Sequence, residues 1–434
     1  MGRRFQYFII HYFTPPGRIQ CLKEAFTKYI QILKEGKYLF FLNISDRLFT
    51  FLFFLLLARN LSTILYGEII TFFAATGVFV SLLDFGLAAY LQREIAANKT
   101  DRTTIFSNIF IVNLFSFVLY ISLLLAVYFI LYPGSSIAIF LIISISLYFG
   151  LLTETCNKVL SGLKNFKEQF TGFTLARIFI LILFTIGIYL LSINIVYLFM
   201  VFFAGMVFNW LYVFIALIRN NIRISISAIK KTSIVNILKH VSPLGLAVVF
   251  TFLYNKIDVI IISNLLDYSQ VAFYSAAYGV YKSSTLAFTF LLAGGFTRVS
   301  EIAGNKTEVR LFLKQYMILI TIICLLVSIL LFFFSDVIVK FLYSVKFLPS
   351  VDVLKILSFA VIAIGLNNLT GIILNGIGIF KVVMYITLFA LFINIILNFA
   401  FIPVYGIEAA AVVTVITEYF IFLFELYFLM RVIK

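Results

Sequence analysis

Charged residues are scarce in this chain. Asp, Glu, Lys and Arg make up 12% of its 434 residues, while hydrophobic residues make up 63%. Soluble globular domains carry roughly 25% charged residues, so the composition excludes that class. Apolar runs long enough to cross roughly 30 Å of hydrocarbon recur throughout, without the polar–apolar alternation of barrel strands. The sequence therefore predicts an all-α polytopic membrane protein.

Residues that hold metals or form disulfides are also few. The two histidines, His11 and His240, lie far apart, and so do the three cysteines, Cys21, Cys156 and Cys324. Neither set has the spacing of a metal site or a disulfide framework. We therefore expect no metal, no catalytic histidine and no cofactor.

Proline is rare, and its positions divide the apolar sequence into spans. Four of the 6 prolines lie at the edges of apolar runs: Pro133, Pro243, Pro349 and Pro403. A helix interior disfavours proline because it lacks a backbone N–H. We predict about twelve spans, including a single span over 269–297 and two separate spans over 382–402 and 406–430.

Two short motifs occur twice in the same order. EIAANKT at 94–100 returns as EIAGNKT at 301–307, and SGLKNFK at 161–167 shares Gly, an aliphatic residue, Phe and Lys with NGIGIFK at 375–381. Internal repeats determine architecture, and transporters are commonly built from repeats. The chain is therefore predicted to contain two related halves.

Lysine and arginine predict the orientation of these halves. Most of the 33 basic residues fall in one set of loops, which contains both termini and the repeated motifs. Basic residues collect on the cytoplasmic side, which explains the net charge of +15 without a nucleic-acid partner. Both halves then share one orientation, which predicts two six-helix lobes related by a pseudo-twofold axis along the membrane normal.

The predicted domains follow from this arrangement. From Arg18, apolar residues at helical spacing alternate with lysines, which indicates an amphipathic helix at the membrane surface. The domains are a cytoplasmic or interfacial N-terminal segment at 1–37, an N-lobe at 38–218, a cytoplasmic linker at 219–240 and a C-lobe at 241–434.

Basic residues inside the predicted spans are the candidates for binding. A charge in hydrocarbon is costly and usually faces a cavity. Arg47, Lys256 and Lys282 lie deep in their spans, while Lys355 lies near a span end, where a lysine can reach the interface. We predict that at least two of the deep three line one aqueous cavity and bind a phosphate or pyrophosphate.

Acidic residues in the same spans are the candidates for balancing these charges or for binding a coupling ion. Asp84 and Asp258 could instead neutralise the basic residues in a structural network. The predicted charge-balancing or ion-coupling residues are Asp46, Asp84, Asp258 and Glu418.

Three stretches carry a resemblance to a known family. The first comprises ARNL from Ala58, YG from Tyr66, DFGL from Asp84 and REIA from Arg93. The second comprises Asp258 and FYSAAY from Phe273, and the third comprises 394–398, PVYGI from Pro403, AAA from Ala409 and Thr417-Glu418. In these motifs the chain resembles the polysaccharide-type flippases of the MOP superfamily, the Wzx-like O-antigen and capsule repeat-unit transporters.

The resemblance covers nearly the whole chain after about residue 38. It departs at Leu61-Ser62, where the family usually has Leu-Gly, and in its longer N-terminal segment. It implies a MOP/MATE-like fold and a flippase that moves undecaprenyl-pyrophosphate-linked oligosaccharide repeat units by alternating access. It also implies a bacterial cytoplasmic membrane location, H⁺ or Na⁺ as the coupling ion, and glycan polymerase or ligase machinery as a partner.

Two other functions compete with this one. A MATE-type exporter usually carries cationic cargo, which favours acids rather than bases in the cavity. A glycan polymerase or ligase normally has a long outer loop with catalytic Arg or His. The longest outer loop here, about 336–350, offers only Asp336, Lys340 and Lys346, and we find no nucleophile–base pair. We therefore expect a transporter rather than an enzyme.

Overall fold

A computed structural model describes residues 16–97, 101–191, 193–225, 231–292 and 295–433. Within these ranges the chain forms helices and one 3₁₀ turn at Val345–Phe347, and no strand. The helices of the first half are α1 Pro16–Asn60, α2 Thr63–Asp84, α3 Leu87–Ala97, α4 Arg102–Leu131, α5 Ile137–Gly162, α6 Phe166–Tyr189 and α7 Ile195–Arg219. Those of the second half are α8 Lys231–Leu265, α9 Tyr268–Ser284, α10 Leu286–Leu292, α11 Gly295–Ile302, α12 Lys306–Tyr343, α13 Ser350–Gly376 and α14 Phe380–Val432.

The predicted helical membrane fold is confirmed, with one difference in span boundaries. In the described chain, 10 helices are long and apolar enough to cross a membrane. The expected single span over 269–297 is divided into α9, α10 and the start of α11. The two spans expected over 382–402 and 406–430 correspond to the two parts of α14, which are separated at Gly406 by a non-helical backbone conformation with φ 63° and ψ −149°.

The N-terminal segment and the linker are described only in part. Residues 1–15 and the side chains of 16–36, which include the predicted amphipathic face, lie outside the described residues. Helix α1 nevertheless includes the segment from Pro16 onward. Within the predicted linker, α7 ends at Arg219 and α8 already begins at Lys231, while 226–230 lie outside the described residues.

Burial separates the central helices from those that face lipid. Over its most apolar stretch, α2 is 61% buried and so is α13, whereas α4 is only 17% buried. Large apolar side chains such as Phe115 on α4 and Phe333 on α12 are exposed, as expected for surfaces that contact lipid tails. Helices α2 and α13 are therefore the most buried of these spans.

Helix ends are fixed by local polar groups. The Asp101 carboxylate accepts hydrogen bonds from the backbone N–H of Thr104 at 2.9 Å and from its hydroxyl at 2.6 Å. These bonds cap α4 and lower the pKa of Asp101, because they stabilise its charged form. At the end of α2, Phe85 and Gly86 have φ of 40° and 74°, and the Asp84 carboxylate accepts from the N–H of Ala88 at 3.1 Å. Asp84 thus caps α3.

The two halves repeat the same helix contacts. Helix α3 packs on α5, and α11, which ends in the second copy of the EIA motif, packs on α13. The contacts of α2 with α5, α5 with α7 and α1 with α6 correspond to those of α9 with α13, α13 with α14 and α8 with α14. This correspondence supports the predicted repeat.

Helix α2 lies antiparallel to α8 where the lobes meet. Gly67 lies against Tyr268 just beyond the end of α8, Gly77 against Phe252 in its middle, and Phe85 against Gly245 near its start. Helices α1 and α2 are consecutive spans joined by a two-residue turn, so they run in opposite directions. Helix α1 and helix α8, the first spans of the two halves, therefore run in the same direction.

One end of the bundle holds the lobes together by polar contacts. We call it the 336–350 end, after the turn that it carries. There the Arg59 guanidinium donates from Nε to the Leu342 carbonyl at 2.6 Å, and Lys346 Nζ donates to the carbonyls of Arg59 at 2.9 Å and Leu61 at 2.7 Å. Partial burial lowers the pKa of Lys346. Across the lobes, the Ser135 and Tyr268 hydroxyls lie 2.7 Å apart.

Candidate functional site

Asp258 is the centre of a buried polar group in the C-lobe. Its side chain, on α8, is 5% exposed. It accepts hydrogen bonds from the Tyr274 hydroxyl at 2.7 Å, the Asn398 amide at 2.8 Å and the Thr414 hydroxyl at 3.2 Å. All three donors are neutral and come from other helices. Carboxylate oxygens are ligands for small cations, and none of these three donors is a positively charged side chain.

Glu418 lies near this group on α14 and is also buried. Its carboxylate accepts from the Asn367 amide at 2.6 Å. A third carboxylate, Glu425, is buried two turns farther along and accepts from the Thr370 hydroxyl. The C-lobe therefore has buried acidic side chains on α14 and α8, and the two on α14, Glu418 and Glu425, accept hydrogen bonds from α13.

Lys256 and Lys282 lie beside these acids. Both lysines are partly buried and close enough to interact electrostatically with each other, while Lys282 also interacts with Glu418 and Asp258. Lys282 Nζ lies 5.6 Å from the Tyr278 ring centroid. In the described chain, neither lysine forms an ion pair within 4.0 Å. We call Lys256, Asp258, Lys282 and Glu418 the C-lobe charge cluster.

A second polar site lies in the N-lobe as a cavity of about 360 Å³ between α1, α5, α6 and α7. Its charged lining residues are Asp46, Glu154, Lys158 and Arg177. Lys158 pairs with Glu154 at 3.1 Å. Arg177 lies over the rings of Phe49 and Phe173, at 4.5 and 4.8 Å from their centroids. We call this site the N-lobe cavity.

The structure divides the predicted basic residues between different places. Lys256 and Lys282 lie together, as described above. Arg47 is exposed on α1 and is not among the residues that line the N-lobe cavity, although its neighbour Asp46 is. Lys355 lies in the second turn of α13 and pairs with the exposed Asp352 at 3.1 Å. The binding roles assigned to these residues stay predictions.

The predicted acidic residues are divided in the same way. Asp258 and Glu418 lie in the C-lobe charge cluster, whereas Asp46 lines the N-lobe cavity. Asp84 caps α3 and lies within electrostatic range of Glu154 and Lys158. The ion-coupling roles of these four residues likewise stay predictions.

Sequence reasoning missed Arg177. It lies where the predicted cytoplasmic loop at 158–177 overlaps the predicted span at about 173–191, and it counts among the basic residues of that loop. Helix α6 begins at Phe166, so Arg177 lies in its fourth turn. The available signal was periodicity: Gln169, Phe173 and Arg177 lie four residues apart, on one helix face, and all three line the cavity.

Comparison with known proteins agrees with this architecture. The family described as "Polysaccharide biosynthesis protein" matches residues 32–293, and the family described as "MatE" matches residues 243–400. An uncharacterized membrane protein of Methanocaldococcus jannaschii, MJ1375, is 28% identical over 46% of this chain and 47% of its own length. The matches span less than half the length of the curated relatives.

Solved structures share the fold at low sequence identity. A multidrug resistance MATE family transporter of the MOP superfamily in an inward-facing conformation has a TM-score of 0.72 at 16% identity, covering 90% of this chain and 94% of its own. Lipid II flippase MurJ in an inward closed conformation has a TM-score of 0.73 at 17% identity, covering 92% of this chain and 87% of its own.

Proposed function

This chain belongs to the polysaccharide biosynthesis protein family, and from that premise we propose that it is a flippase for undecaprenyl-pyrophosphate-linked oligosaccharide repeat units. A glycan and a pyrophosphate cannot cross hydrocarbon unaided, so the cargo needs a polar path while its polyprenyl tail stays in lipid. The two lobes would provide that path by alternating access in the cytoplasmic membrane.

The observation that carries the proposal is that two basic side chains, Lys256 and Lys282, lie close together in the C-lobe charge cluster. Two lysines interact inside the membrane region, and neither has an ion-pair partner within 4.0 Å in the described chain. Lys282 also interacts with Glu418 and Asp258, which partly balance its charge, and a pyrophosphate carries enough negative charge to pair with both lysines. Charges at this depth are rarely retained without a function.

Alternating access needs one closed end that can open. The contacts of Arg59, Lys346 and Ser135 at the 336–350 end join the lobes through few hydrogen bonds. If that end faces the outside, the present conformation is closed there. Such contacts can break at modest cost because each hydrogen bond is replaced by one to water, with a net change of about 1 kcal/mol.

A reconstituted system tests this function. The full chain is placed in liposomes that contain a fluorescent polyprenyl-pyrophosphate-linked saccharide, and movement is followed by a reagent that cannot cross the membrane. We expect lipid-linked saccharide to move faster than in protein-free liposomes. If the chain instead extrudes a cationic dye and leaves the saccharide in place, the flippase proposal is wrong.

Cation export is the second candidate function. The MatE match over residues 243–400 and the buried carboxylates Asp258 and Glu418 favour it, because buried acids attract a cationic cargo. Lys256 and Lys282 count against it, since they would repel such a cargo from the same group. The dye arm of the liposome experiment distinguishes the two functions.

We expect reporter fusions to place the 336–350 end outside. Fusions after residues 100, 168, 230 or 306 should report cytoplasm, and fusions near 134 or 346 should report the outer side, because basic residues collect in the first set of loops. Paired cytoplasm-active and periplasm-active reporters at each position measure this. An outer signal at 230 would contradict the two-lobe orientation.

Replacing Asp258 with asparagine should remove the dependence of transport on a cation gradient. Asparagine keeps the shape and one carbonyl oxygen but loses the charge that attracts H⁺ or Na⁺. We expect a Na⁺ or pH gradient to accelerate the unmodified protein by about tenfold, which corresponds to about 1.4 kcal/mol, and to leave Asp258→Asn unchanged. The control is Asp336→Asn, since Asp336 is 49% exposed and pairs with Lys340. Equal acceleration of both variants would contradict the coupling role.

A further inference from the structure

The N-lobe cavity has a lining unlike that of the C-lobe charge cluster. Its charged residues are two of each sign, Asp46 and Glu154 against Lys158 and Arg177, as in the C-lobe charge cluster, but here Lys158 is already paired with Glu154 at 3.1 Å, which leaves little attraction for a dianion. Its remaining polar lining is dominated by side-chain carboxamides: Asn43, Asn157, Gln169 and Asn209. Carboxamides donate and accept hydrogen bonds without charge, so they suit a neutral ligand that does both.

Several buried polar atoms in the cavity lack partners within the described chain. Asn209 is 4% exposed, and its Oδ1 accepts no hydrogen bond there. The same holds for Asn157 Oδ1, while Arg177 Nε donates none. By contrast, Gln169, also buried, donates to the Asn157 carbonyl and to Ser161 Oγ, both at 2.9 Å. Leaving a buried polar group unpaired costs about 1–3 kcal/mol, so the cavity favours a ligand that pairs these atoms.

The unpaired atoms of the cavity include both hydrogen-bond acceptors and a hydrogen-bond donor. The two amide oxygens need donors, and the Arg177 N–H needs an acceptor. A hydroxyl group supplies both, and several adjacent hydroxyls on a rigid ring would reach several such atoms at once. A volume of about 360 Å³ lies in the range of small-molecule sites, roughly 300–1,000 Å³.

We propose that the N-lobe cavity binds a sugar residue of the transported glycan. This inference rests on the proposed flippase function and divides the cargo between the lobes. The pyrophosphate would lie at the lysines of the C-lobe charge cluster, and a sugar would lie among the carboxamides of the N-lobe cavity. The two sites would then recognise two different parts of one molecule.

The chain provides its own reporter for this site. Trp210 is the single tryptophan of the sequence and directly follows Asn209 on α7. Its ring lies 5.5 Å from that of Phe149, whose neighbour Gly150 lines the cavity. Occupation of the cavity should therefore change the fluorescence of one defined residue.

The full purified chain is titrated with free glucose, N-acetylglucosamine or glucuronic acid while Trp210 fluorescence is recorded. We expect a saturable change with at least one sugar and none with inorganic pyrophosphate. Asn209→Ala should raise the half-saturating sugar concentration at least about tenfold, the loss expected from one buried hydrogen bond. The control is Asn60→Ala, because Asn60 is exposed and donates to Leu56 and Tyr189 away from the cavity.

A second variant distinguishes the loss of a sugar contact from misfolding of the Asn209→Ala variant. Asn43 lines the same cavity from an exposed position on α1, so Asn43→Ala should weaken sugar binding without endangering the fold. No saturable change with any of these sugars, or equal affinity in all variants, would overturn the proposal. If sugars bind as expected while liposomes show no glycan transport, the flippase proposal fails and the sugar site stands.

Discussion

Replacing Gly67 with alanine should reduce transport at least about tenfold, because the lobes could no longer close at the 336–350 end. A Cβ atom at this position would lie 1.7 Å from the Tyr268 carbonyl oxygen and 3.2 Å from the Ala272 nitrogen. Both are backbone atoms, so no side-chain rotation relieves the clash. Helix α9 would have to move away from α2, and one of the two alternating states would be lost.

Two measurements identify this cause. Transport is assayed in liposomes, and closure is assayed by labelling Ser135→Cys with an impermeant maleimide in a Cys21→Ser background. Ser135 contacts Tyr268 at the same end, while Cys156 and Cys324 are buried. We expect Gly67→Ala to increase the labelling rate as transport falls.

The matched control is Gly279→Ala on α9. A Cβ there would contact only the Tyr343 hydroxyl, at 3.4 Å, and alanine favours helix by about 1 kcal/mol over glycine. This variant should transport and label like the unmodified protein. Normal transport by Gly67→Ala, at equal protein level, would mean that closure at Gly67 is not part of the cycle.

The sequence contained enough information to predict the fold but not its breaks. The lengths of the apolar runs predict the spans, and the distribution of basic residues predicts their orientation. Both predictions work because every span must fit the same membrane. The bend at Gly406 depends instead on local backbone geometry. Proline at 403 predicted that the first of two spans ends at about residue 402, yet that helix continues past the proline and ends at Gly406, whose φ is 63°. Local propensity alone does not separate these outcomes.

A candidate site residue could be predicted from the sequence where it is a single charge in an apolar span. The N-lobe cavity could not be predicted, because several helices form it together. Asp258, Lys282 and Glu418 are charged residues within apolar sequence, so their positions inside the predicted spans were enough to make them candidates. The N-lobe cavity is formed by polar residues on several helices, none of which is unusual by itself. Arg47 and Asp46 illustrate the limit: they are adjacent and equally conspicuous, and only packing determines that Asp46 lines the cavity.

Replacing Lys282 with glutamate should abolish transport more completely than replacing it with methionine. Methionine removes the positive charge and keeps the unbranched stem, so the pyrophosphate would lose one of its two lysines. The loss of one charge-assisted hydrogen bond, about 1.5–3 kcal/mol, corresponds to roughly tenfold to a hundredfold. Glutamate adds a third acid beside Glu418 and Asp258, with which Lys282 now interacts, and it also repels the cargo. We expect transport by this variant to fall below detection.

Charge reversal at Lys282 also endangers folding. Exchanging Lys282 and Glu418 separates the effect on folding from the effect on transport. In the double variant Lys282→Glu, Glu418→Lys, the summed charge of the cluster is restored while the cation moves from α9 to α14. We expect the thermal stability and protein level lost in Lys282→Glu to recover substantially, because the like-charge repulsion is removed. Transport should stay low, since the cation no longer lies at position 282, where it interacts with Lys256. Lys282→Arg keeps the cation in place and serves as the conservative control. If the exchanged variant transports as well as the unmodified protein, Lys282 serves only to balance Glu418, and the anion site lies elsewhere.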